Sequence, residues 1–368
     1  MRRISILLLT LFTLAVSAAW PQAEAPRKQQ IITFDAPGAG TGAGQGTFVN
    51  GINPGGAIVG WYVDGSNVNH GFLRRHDGGI VTFDAPGAGT GAGQGTFAWG
   101  MNSGQEVAGF VIDTNGVYHG YLRTRQGEFA EIEPSGAGRS PGHPIYAANI
   151  NPAGEVSGRF DDENSVPHGF VRTKDSTIIE FDAPGAGQGT QTSSMYGLNA
   201  AGWFAGPYLD SSNVWHGYLR APDGTITVFD DPEAGTGDFQ GTIADCVNAN
   251  GGITGWYIDG GNVNHGFLRS SDGTFLTIDP PGAGTGAGQG TIAASVTPAG
   301  AIAGFYIDAS NAFHGFSRDS RGTFATIDVP SAGTGAGQGT FAVGNNTAGA
   351  ITGYYVDAGN VAHGFLRN

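Results

Sequence analysis

The chain contains little cysteine and little charge, and it has almost no long apolar runs. Cys246 is the only cysteine among 368 residues, so no disulfide can form within the chain, and we expect the thiol to pack inside. Charged residues make up 13% of the sequence, with 17 basic and 31 acidic side chains. The formal charge of −14 repels nucleic acid and anionic membrane surfaces, so neither is expected as a partner.

The one long apolar run lies near the N-terminus. Arg2 and Arg3 precede an almost wholly apolar segment at residues 4–18, and small residues follow it. This layout predicts a signal peptide at residues 1–19, followed by a short linker at residues 20–30. Because the run is shorter than the roughly 20 residues that cross a bilayer, an uncleaved anchor is the less favoured alternative. We expect a secreted protein, in the periplasm, at the cell surface or outside the cell, without membrane insertion.

From residue 31 onward the chain consists of seven repeats of one sequence unit. A His-Gly-aromatic triplet recurs every 48 or 49 residues, an Arg follows each His by four positions, and an Asp precedes it by six. Chance does not produce such spacing. The repeated trios are Asp64, His70 and Arg74; Asp113, His119 and Arg123; Asp162, His168 and Arg172; Asp210, His216 and Arg220; Asp259, His265 and Arg269; Asp308, His314 and Arg318; and Asp357, His363 and Arg367.

Each unit resolves into four short runs rich in β-branched and aromatic residues, at residues 47–53, 57–64, 70–74 and 80–85 in the first unit. Four strands in about 49 residues are typical of a propeller blade, so the sequence predicts an all-β fold, a seven-bladed β-propeller over residues 31–368. The chain starts with a fourth-strand sequence and ends with a third-strand sequence. The N-terminal strand is therefore expected to complete the last blade and close the ring of a monomer. An open β-solenoid is the disfavoured alternative.

The repeated Asp, His and Arg lie on the hairpin between the second and third strands. A five-residue turn would pair Asp64 with His70, and it would place Asn67 at a left-handed position. In the same register Gly60 would face Arg74 and leave room for its stem. We predict that each trio is a structural staple on one face of its blade. Repeated ligand or ion sites and catalysis by the trio are the alternatives, although a catalytic site is normally assembled only once.

A glycine-rich loop, "PGAGTGAGQGT" at residues 37–47, joins successive units and returns nearly unchanged from Pro86, Pro281 and Pro330. It lacks the lysine and the following helix of a phosphate-binding loop, and it lacks the aspartates of calcium-binding glycine repeats. We therefore expect no cofactor and no metal. The loops should share one face with the turns between second and third strands. Their exposed amides, Thr hydroxyls and Gln side chains offer hydrogen bonds to a neutral polar ligand such as a glycan.

The second and third units depart most from the repeat. Arg139, His143, Tyr146, Arg159 and Asp161 replace residues that are Gly, Gln, aromatic or aliphatic elsewhere. Drift in one degenerate unit is the plain explanation. The alternative is that these five residues converge in a ligand-binding pocket between the second and third blades, and they are the candidate ligand-binding residues. An Arg-His-Tyr set could also supply the base and anion clamp of a polysaccharide lyase or hydrolase. No catalytic residue is assigned.

The motif "GINPGGAIVGWYVD" followed by "HGFLR" resembles the HAF-type extracellular repeat family of bacterial proteins. The chain departs from that family in having Gly where the family has Ala, and in its long glycine loops. The resemblance implies a secreted propeller-like protein and carries no catalytic residues. We therefore expect a secreted or cell-surface binding or scaffolding module, with an extracellular polysaccharide or a surface protein as partner. An extracellular lyase or hydrolase with its site at the second and third blades is the alternative.

Overall fold

The computed structural model describes residues 30–186 and 197–368 of the chain. Within these ranges there are 27 β-strands and no helix, as the sequence predicts. No helix in the described ranges is therefore long and apolar enough to cross a membrane. The predicted signal peptide and most of the linker lie outside the described residues.

The strands follow the repeat, and the units are numbered here from the N-terminus. The first strand is β1 (Ile31–Phe34). Unit 1 contains β2 (Gly46–Ile52), β3 (Ile58–Val63), β4 (Asn69–Arg74) and β5 (Ile80–Phe83). Unit 2 contains β6 (Gly95–Met101), β7 (Val107–Ile112), β8 (Tyr118–Arg123) and β9 (Phe129–Ile132). Unit 3 contains β10 (Ile145–Ile150), β11 (Val156–Asp161), β12 (Pro167–Arg172) and β13 (Ile178–Phe181).

Units 4 to 7 continue the same order. Unit 4 contains β14 (Phe204–Leu209), β15 (Trp215–Arg220) and β16 (Ile226–Phe229). Unit 5 contains β17 (Gly241–Val247), β18 (Ile253–Ile258), β19 (Asn264–Arg269) and β20 (Phe275–Ile278). Unit 6 contains β21 (Gly290–Val296), β22 (Ile302–Ile307), β23 (Phe313–Arg318) and β24 (Phe324–Ile327). Unit 7 contains β25 (Gly339–Asn345), β26 (Ile351–Val356) and β27 (Ala362–Arg367).

Within a unit, consecutive strands pair antiparallel, and the first strand carries a β-bulge. In unit 1 the register steps from Val49 to Gly51, which leaves Asn50 without a partner residue on β3. Equivalent irregularities occur in the first strands of units 2, 3, 5, 6 and 7. Because a bulged residue is released from the ladder, its side chain can turn away from the faces that pack on neighbouring units.

The N-terminal strand pairs with the last strand of the chain. β1 lies antiparallel to β27, from Ile31 opposite Arg367 to Phe34 opposite Gly364, and so supplies the fourth strand of unit 7. β27 also forms a parallel bridge to β2 through Gly46 and Ala362. Gly46 has a φ of 112°, and a Cβ there would lie 2.0 Å from the Ala362 carbonyl oxygen, so only glycine fits this junction.

A belt of asparagines links adjacent units just beyond their first strands. Asn53 Nδ2 donates a hydrogen bond to the Asn102 carbonyl oxygen at 3.1 Å, and Asn346 of unit 7 donates to the Asn53 carbonyl oxygen at 3.3 Å. The intervening donors are Asn102, Asn151, Asn199 and Asn248, each reaching the backbone of the next unit. These side chains are buried, so each bond satisfies groups that water does not reach.

The hydrophobic core lies between neighbouring units. One cluster joins Val59 and Leu73 of unit 1 to Ala98 and Val107 of unit 2, and another joins Leu366 of unit 7 to Phe72 of unit 1. The aromatic side chain that follows each His-Gly pair is almost inaccessible to solvent. Both faces of the sheets are therefore covered, which explains why so few charged residues appear on the strands.

Candidate functional site

Each repeated histidine lies between two carboxylates. His70 Nδ1 is 2.8 Å from Asp84 Oδ1, while His70 Nε2 is 3.5 Å from Asp64 Oδ2. The predicted Asp–His contact is thus the longer of the two. The shorter one involves an acidic residue at the end of a fourth strand, which was not predicted although it recurs 14 residues after the histidine in six units. The other nearer pairs are His119–Glu133, His168–Asp182, His216–Asp230, His265–Asp279, His314–Asp328 and His363–Asp35.

The aspartate before each histidine holds the turn. Asp64 Oδ1 accepts hydrogen bonds from the backbone N–H groups of Ser66 at 2.8 Å and Val68 at 2.9 Å. Asn67 has a φ of 63°, the left-handed conformation that the sequence predicts for it. In unit 7 the corresponding hydrogen bond from the Val361 N–H outweighs burial and holds the pKa of Asp357 below its ordinary value. These aspartates are structural acceptors that stay ionised.

The register of this hairpin differs from the predicted one by two residues. Tyr62 pairs with His70, and Gly60 pairs with Phe72. Asp64 lies in the turn because its side chain caps the N–H groups there. A slip of two residues keeps every side chain on its predicted face, so only the pairing was wrong. Gly60 makes room for the Phe48 carbonyl oxygen and the Phe72 ring, which would lie 2.0 Å and 2.9 Å from a Cβ at that position, and not for an arginine stem.

The repeated arginines stand apart from the Asp–His pairs, so the predicted staple is corrected for its third member. The Arg74 guanidinium lies 5.0 Å from the centre of the Phe34 ring, on the strand that completes unit 7. Arg123 lies 4.6 Å from Phe83 of unit 1 in the same way. These cation–π contacts bind each arginine to the neighbouring unit. Arg220 and Arg269 form the same contact with Phe181 and Phe229 of the preceding units. The other three arginines differ: the Arg318 guanidinium lies over the Phe324 ring of its own unit, Arg172 donates a hydrogen bond to Ser176, and Arg367 donates one to Ser317 of unit 6.

The glycine loops bridge the turns of neighbouring units. The Gly44 N–H donates to the Asn360 carbonyl oxygen in unit 7 at 2.8 Å, and Gln45 Nε2 donates to Asn67 Oδ1 in unit 1 at 3.0 Å. Gln45 Oε1 accepts from the Gly42 N–H at 2.9 Å. The loops and turns therefore share one face, as predicted. The Gln side chains are occupied within the protein, which makes them poorer ligand groups than the sequence suggests.

An open pocket of about 360 Å³ lies where units 1, 2 and 3 meet. Its walls are mainly aromatic. Trp61 and Trp99 are stacked with ring centres 5.6 Å apart, and Phe110 meets the edge of Tyr146 at 4.8 Å. This space is called the aromatic pocket below, and its lining residues are Trp61, Phe97, Trp99, Phe110, Ile112, Tyr118, Tyr146 and Arg159.

Tyr146 and Arg159, two of the five predicted ligand residues, line the aromatic pocket. They face each other across β10 and β11, and the Arg159 guanidinium lies 5.3 Å from the Tyr146 ring centre. Asp161 lies behind them, with Oδ1 3.3 Å from Arg159 Nη2. Burial raises the pKa of Asp161, partly offset by Arg159 and His143. Arg159 is thus held in place by a ring on one side and a carboxyl group on the other.

The remaining two predicted residues lie outside the pocket lining. Arg139 forms an ion pair with Glu133, and its backbone N–H donates to Glu163. His143 Nδ1 is 3.1 Å from the Ser140 carbonyl oxygen, within its own loop. Of the five predicted residues, Tyr146 and Arg159 therefore line the pocket, Asp161 contacts Arg159, and His143 lies close enough to Asp161 to lower its pKa. In the described residues no group of three or more His, Cys, Asp or Glu side chains could hold a metal ion.

A second space, of about 400 Å³, is lined by residues from all seven units and is called the central cavity. Bulged residues of the first strands contribute to it, among them Asn50, Trp99, Asp245 and Val343. Asp245 was not predicted as a site residue, because the bulge that exposes it is not visible in the strand pattern.

No protein-family model matches the chain, and no curated protein matches it. Solved structures do match it. The β-propeller domain of the trilobed protease from Pyrococcus furiosus gives a TM-score of 0.55 at 10% identity, covering 87% of this chain and 95% of that one. The fold is a β-propeller. The BP39L lectin from Burkholderia pseudomallei gives a TM-score of 0.50 at 11% identity, covering 85% of this propeller and 95% of the lectin.

TolB from Acinetobacter baumannii is 13% identical, with a TM-score of 0.47 over 76% of this propeller. The chain spans 62% of the TolB chain, less than two thirds of it. At these identities the likenesses to the protease domain and to the BP39L lectin show the fold alone, and a propeller fold accommodates many activities. The local chemistry of this chain therefore has to identify its function.

Proposed function

We propose that the chain is a secreted β-propeller that binds extracellular glycans in the aromatic pocket. The pocket combines a stacked Trp pair with the guanidinium of Arg159 and the phenol of Tyr146. Ligand sites of this size are typically apolar hollows with a few polar groups that fix orientation. A sugar ring has one face of C–H groups and a rim of hydroxyls. The C–H face matches the aromatic walls, and the hydroxyls match the polar ends of Arg159 and Tyr146.

The pre-organisation of Arg159 supports this proposal. The Tyr146 ring and Asp161 already hold the guanidinium, so little side-chain entropy remains to be lost when a ligand arrives. Burial raises the pKa of Tyr146, which keeps its hydroxyl protonated, and a hydrogen bond with the Tyr118 side chain orients it. A neutral, hydroxyl-rich ligand therefore meets the guanidinium and the phenol in fixed positions.

The proposal includes a closed ring of seven blades. It is supported by the pairing of β27 with both β1 and β2, by the hydrogen bond from Asn346 to unit 1, and by a central cavity with lining from every unit. A closed ring has no free sheet edge, which suits a protein that must stay soluble outside the cell. Export through the N-terminal signal peptide and kinship with HAF-type repeat proteins are part of the same proposal.

The test is retention of the chain from Trp20 onward on a panel of insoluble and immobilised polysaccharides. We expect retention on at least one polysaccharide, with no sugar released into the supernatant. Trp61→Ala should reduce the affinity about tenfold or more, because it removes one wall of the pocket. Trp203→Ala is the matched control, since Trp203 is 38% exposed and is not among the residues that line the pocket.

Three outcomes would contradict the proposal. Equal loss of retention in both tryptophan variants would place the contact outside the pocket. Release of sugar would identify an enzyme, the alternative for units 2 and 3. Retention on no polysaccharide would leave a surface protein as the partner. Melting curves of both variants confirm that a loss of retention is not a loss of fold.

A further inference from the structure

Among the described residues that line the central cavity, Asp245 carries the only carboxyl group. Asp245 is the residue released by the β-bulge in β17, between Ala244 and Cys246, and it lines the cavity. It is 8% exposed, and burial is the only influence on the pKa of its carboxyl group, to which no hydrogen bond or neighbouring charge contributes in the described structure. A buried carboxyl group without a partner is costly, so its retention at a cavity wall needs an explanation.

The rest of the lining contains no positive charge. Lys, Arg and His are absent from the described lining, and Cys246 is its only other ionisable side chain. Burial raises the pKa of that thiol to about 11, so it is neutral under ordinary conditions. Asp245 is therefore the one group in the described lining that can balance the charge of a cation. Burial raises its pKa and favours the neutral form, so a bound cation would favour the carboxylate and release the proton.

Two asparagine side chains of the lining form hydrogen bonds within the protein. Asn50 Nδ2 donates to the Ala98 carbonyl oxygen at 3.1 Å, and Asn345 Nδ2 donates to the Ala301 carbonyl oxygen at 3.0 Å. One N–H of each amide group is thus engaged within the protein. The Asp245 carboxyl group remains to receive hydrogen bonds, so a ligand with N–H donors and a positive charge matches it.

Apolar side chains complete the cavity. Ile52, Trp256, Ile292 and Phe305 contribute to its walls, and its volume of about 400 Å³ is within the range of sites for small organic molecules. A hydrated metal ion would leave these walls unused. A short alkyl chain that carries one charged head would occupy both parts of the cavity.

We propose that the central cavity binds a small primary ammonium ion, with its head against Asp245 and its alkyl chain against the apolar walls. A primary ammonium group has three N–H donors and a full positive charge, and in a partly dry cavity an ion pair with hydrogen bonds is stronger than in water. The site shares Trp99 with the aromatic pocket, but Asp245 is not part of the lining of that pocket, and the proposal does not depend on glycan binding.

The probes are n-butylammonium to n-octylammonium, each compared with the alcohol of the same chain length by calorimetric titration of the chain from Trp20 onward. We expect the best ammonium ion to bind at least tenfold more tightly than its alcohol. Asp245→Asn, which has nearly the same shape, should remove this preference and leave alcohol binding unchanged. Asp238→Asn is the charge-matched control on a glycine loop and should change nothing.

Cys246 reports whether the probe lies in the cavity. It is the only thiol of the chain and part of the lining, so a bound ammonium ion should slow its alkylation at alkaline pH. Equal affinity for ammonium ions and alcohols, unchanged alkylation at saturating probe, or no binding of any ammonium ion below about 10 mM would each overturn the proposal. These wild-type measurements hold even if the Asp245 variant fails to fold.

Discussion

Asp259 offers the most direct measurement of what the repeated aspartates do. Its Oδ1 accepts hydrogen bonds from the N–H groups of Gly261 and Val263, both at 2.8 Å, and its Oδ2 lies 3.6 Å from His265 Nε2. Asp259→Ala deletes all three interactions. Hydrogen bonds to a charged group contribute about 1.5–3 kcal/mol each, and water replaces part of this at an exposed turn. We expect the free energy of unfolding to fall by about 2 kcal/mol.

A second variant separates the turn from the ion pair. Asp259→Asn keeps a side-chain oxygen for the Gly261 and Val263 N–H groups but loses the charge that faces His265. Because an exposed ion pair contributes about 0–1 kcal/mol, this variant should lose less than about 1 kcal/mol. The ranking of the two variants therefore tests whether the aspartate acts mainly through the backbone of the turn.

The loss of stability in Asp259→Ala should also depend on pH in a predictable direction. Burial acts to raise the pKa of Asp259, but the Val263 and Gly261 N–H groups and His265 outweigh it and lower the pKa. A lowered folded-state pKa stabilises the fold above the ordinary pKa, and this stability is lost as the pH falls through the folded value. The gap between wild type and Asp259→Ala should narrow below about pH 4. Urea unfolding followed by tryptophan fluorescence measures it; identical wild-type and Ala curves, or equal losses in the Ala and Asn variants, would refute the reasoning.

Three further variants test other parts of the fold by urea unfolding. Burial raises the pKa of Asp245, so the folded chain holds a proton that the unfolded chain releases. From about pH 4 up to the folded-state pKa, the stability of wild type relative to Asp245→Asn should therefore fall by about 1.4 kcal/mol per pH unit. Phe239 has a φ of 60° and a 57% exposed side chain, so Phe239→Gly should raise stability by about 1 kcal/mol. Arg269→Met removes the guanidinium 4.6 Å from the Phe229 ring centre and should cost about 1 kcal/mol. An unchanged slope or midpoint contradicts the corresponding prediction.

The strand content could be predicted because it is encoded locally. In unit 1 the expected strand at residues 57–64 is observed as β3 (Ile58–Val63), and the one at residues 80–85 as β5 (Ile80–Phe83). The register of the hairpin could not be predicted in the same way, because it depends on how Asp64 caps the following turn. An aspartate can pair across a strand or accept hydrogen bonds in a turn, and its spacing in the sequence does not distinguish the two roles. The contact between Asp84 and His70 was missed for a related reason. Asp84 follows β5, which pairs with β4, and the sequence pattern does not fix the length of the turn between these two strands.

The candidate sites were only partly accessible from the sequence. Tyr146 and Arg159 stand out because they break the repeat, and both line the aromatic pocket. Phe97 and Phe110 occupy positions that hold large apolar residues in most units, so they resemble ordinary core residues. Only the packing of one unit against the next shows that these rings share a wall with Tyr146. Asp245 depends on a bulge, which moves one residue out of register and leaves no trace in the alternation of side chains.

The repeated aspartates that hold the turns lie apart from the residues of the aromatic pocket, so the contribution of each group to stability and to binding can be measured separately. Asp259 holds a turn in unit 5, whereas the aromatic pocket takes its residues from units 1 to 3, and mutations at sites without shared partners act independently. Asp259→Ala should therefore lower the unfolding midpoint while the folded protein keeps its full retention on polysaccharide. Trp61→Ala should lose retention on polysaccharide while it stays folded, measured at a temperature where both variants are folded. If Asp259→Ala lost retention while still folded, the turns and glycine loops of the shared face would have to belong to the ligand site, and the aromatic pocket alone would not explain binding.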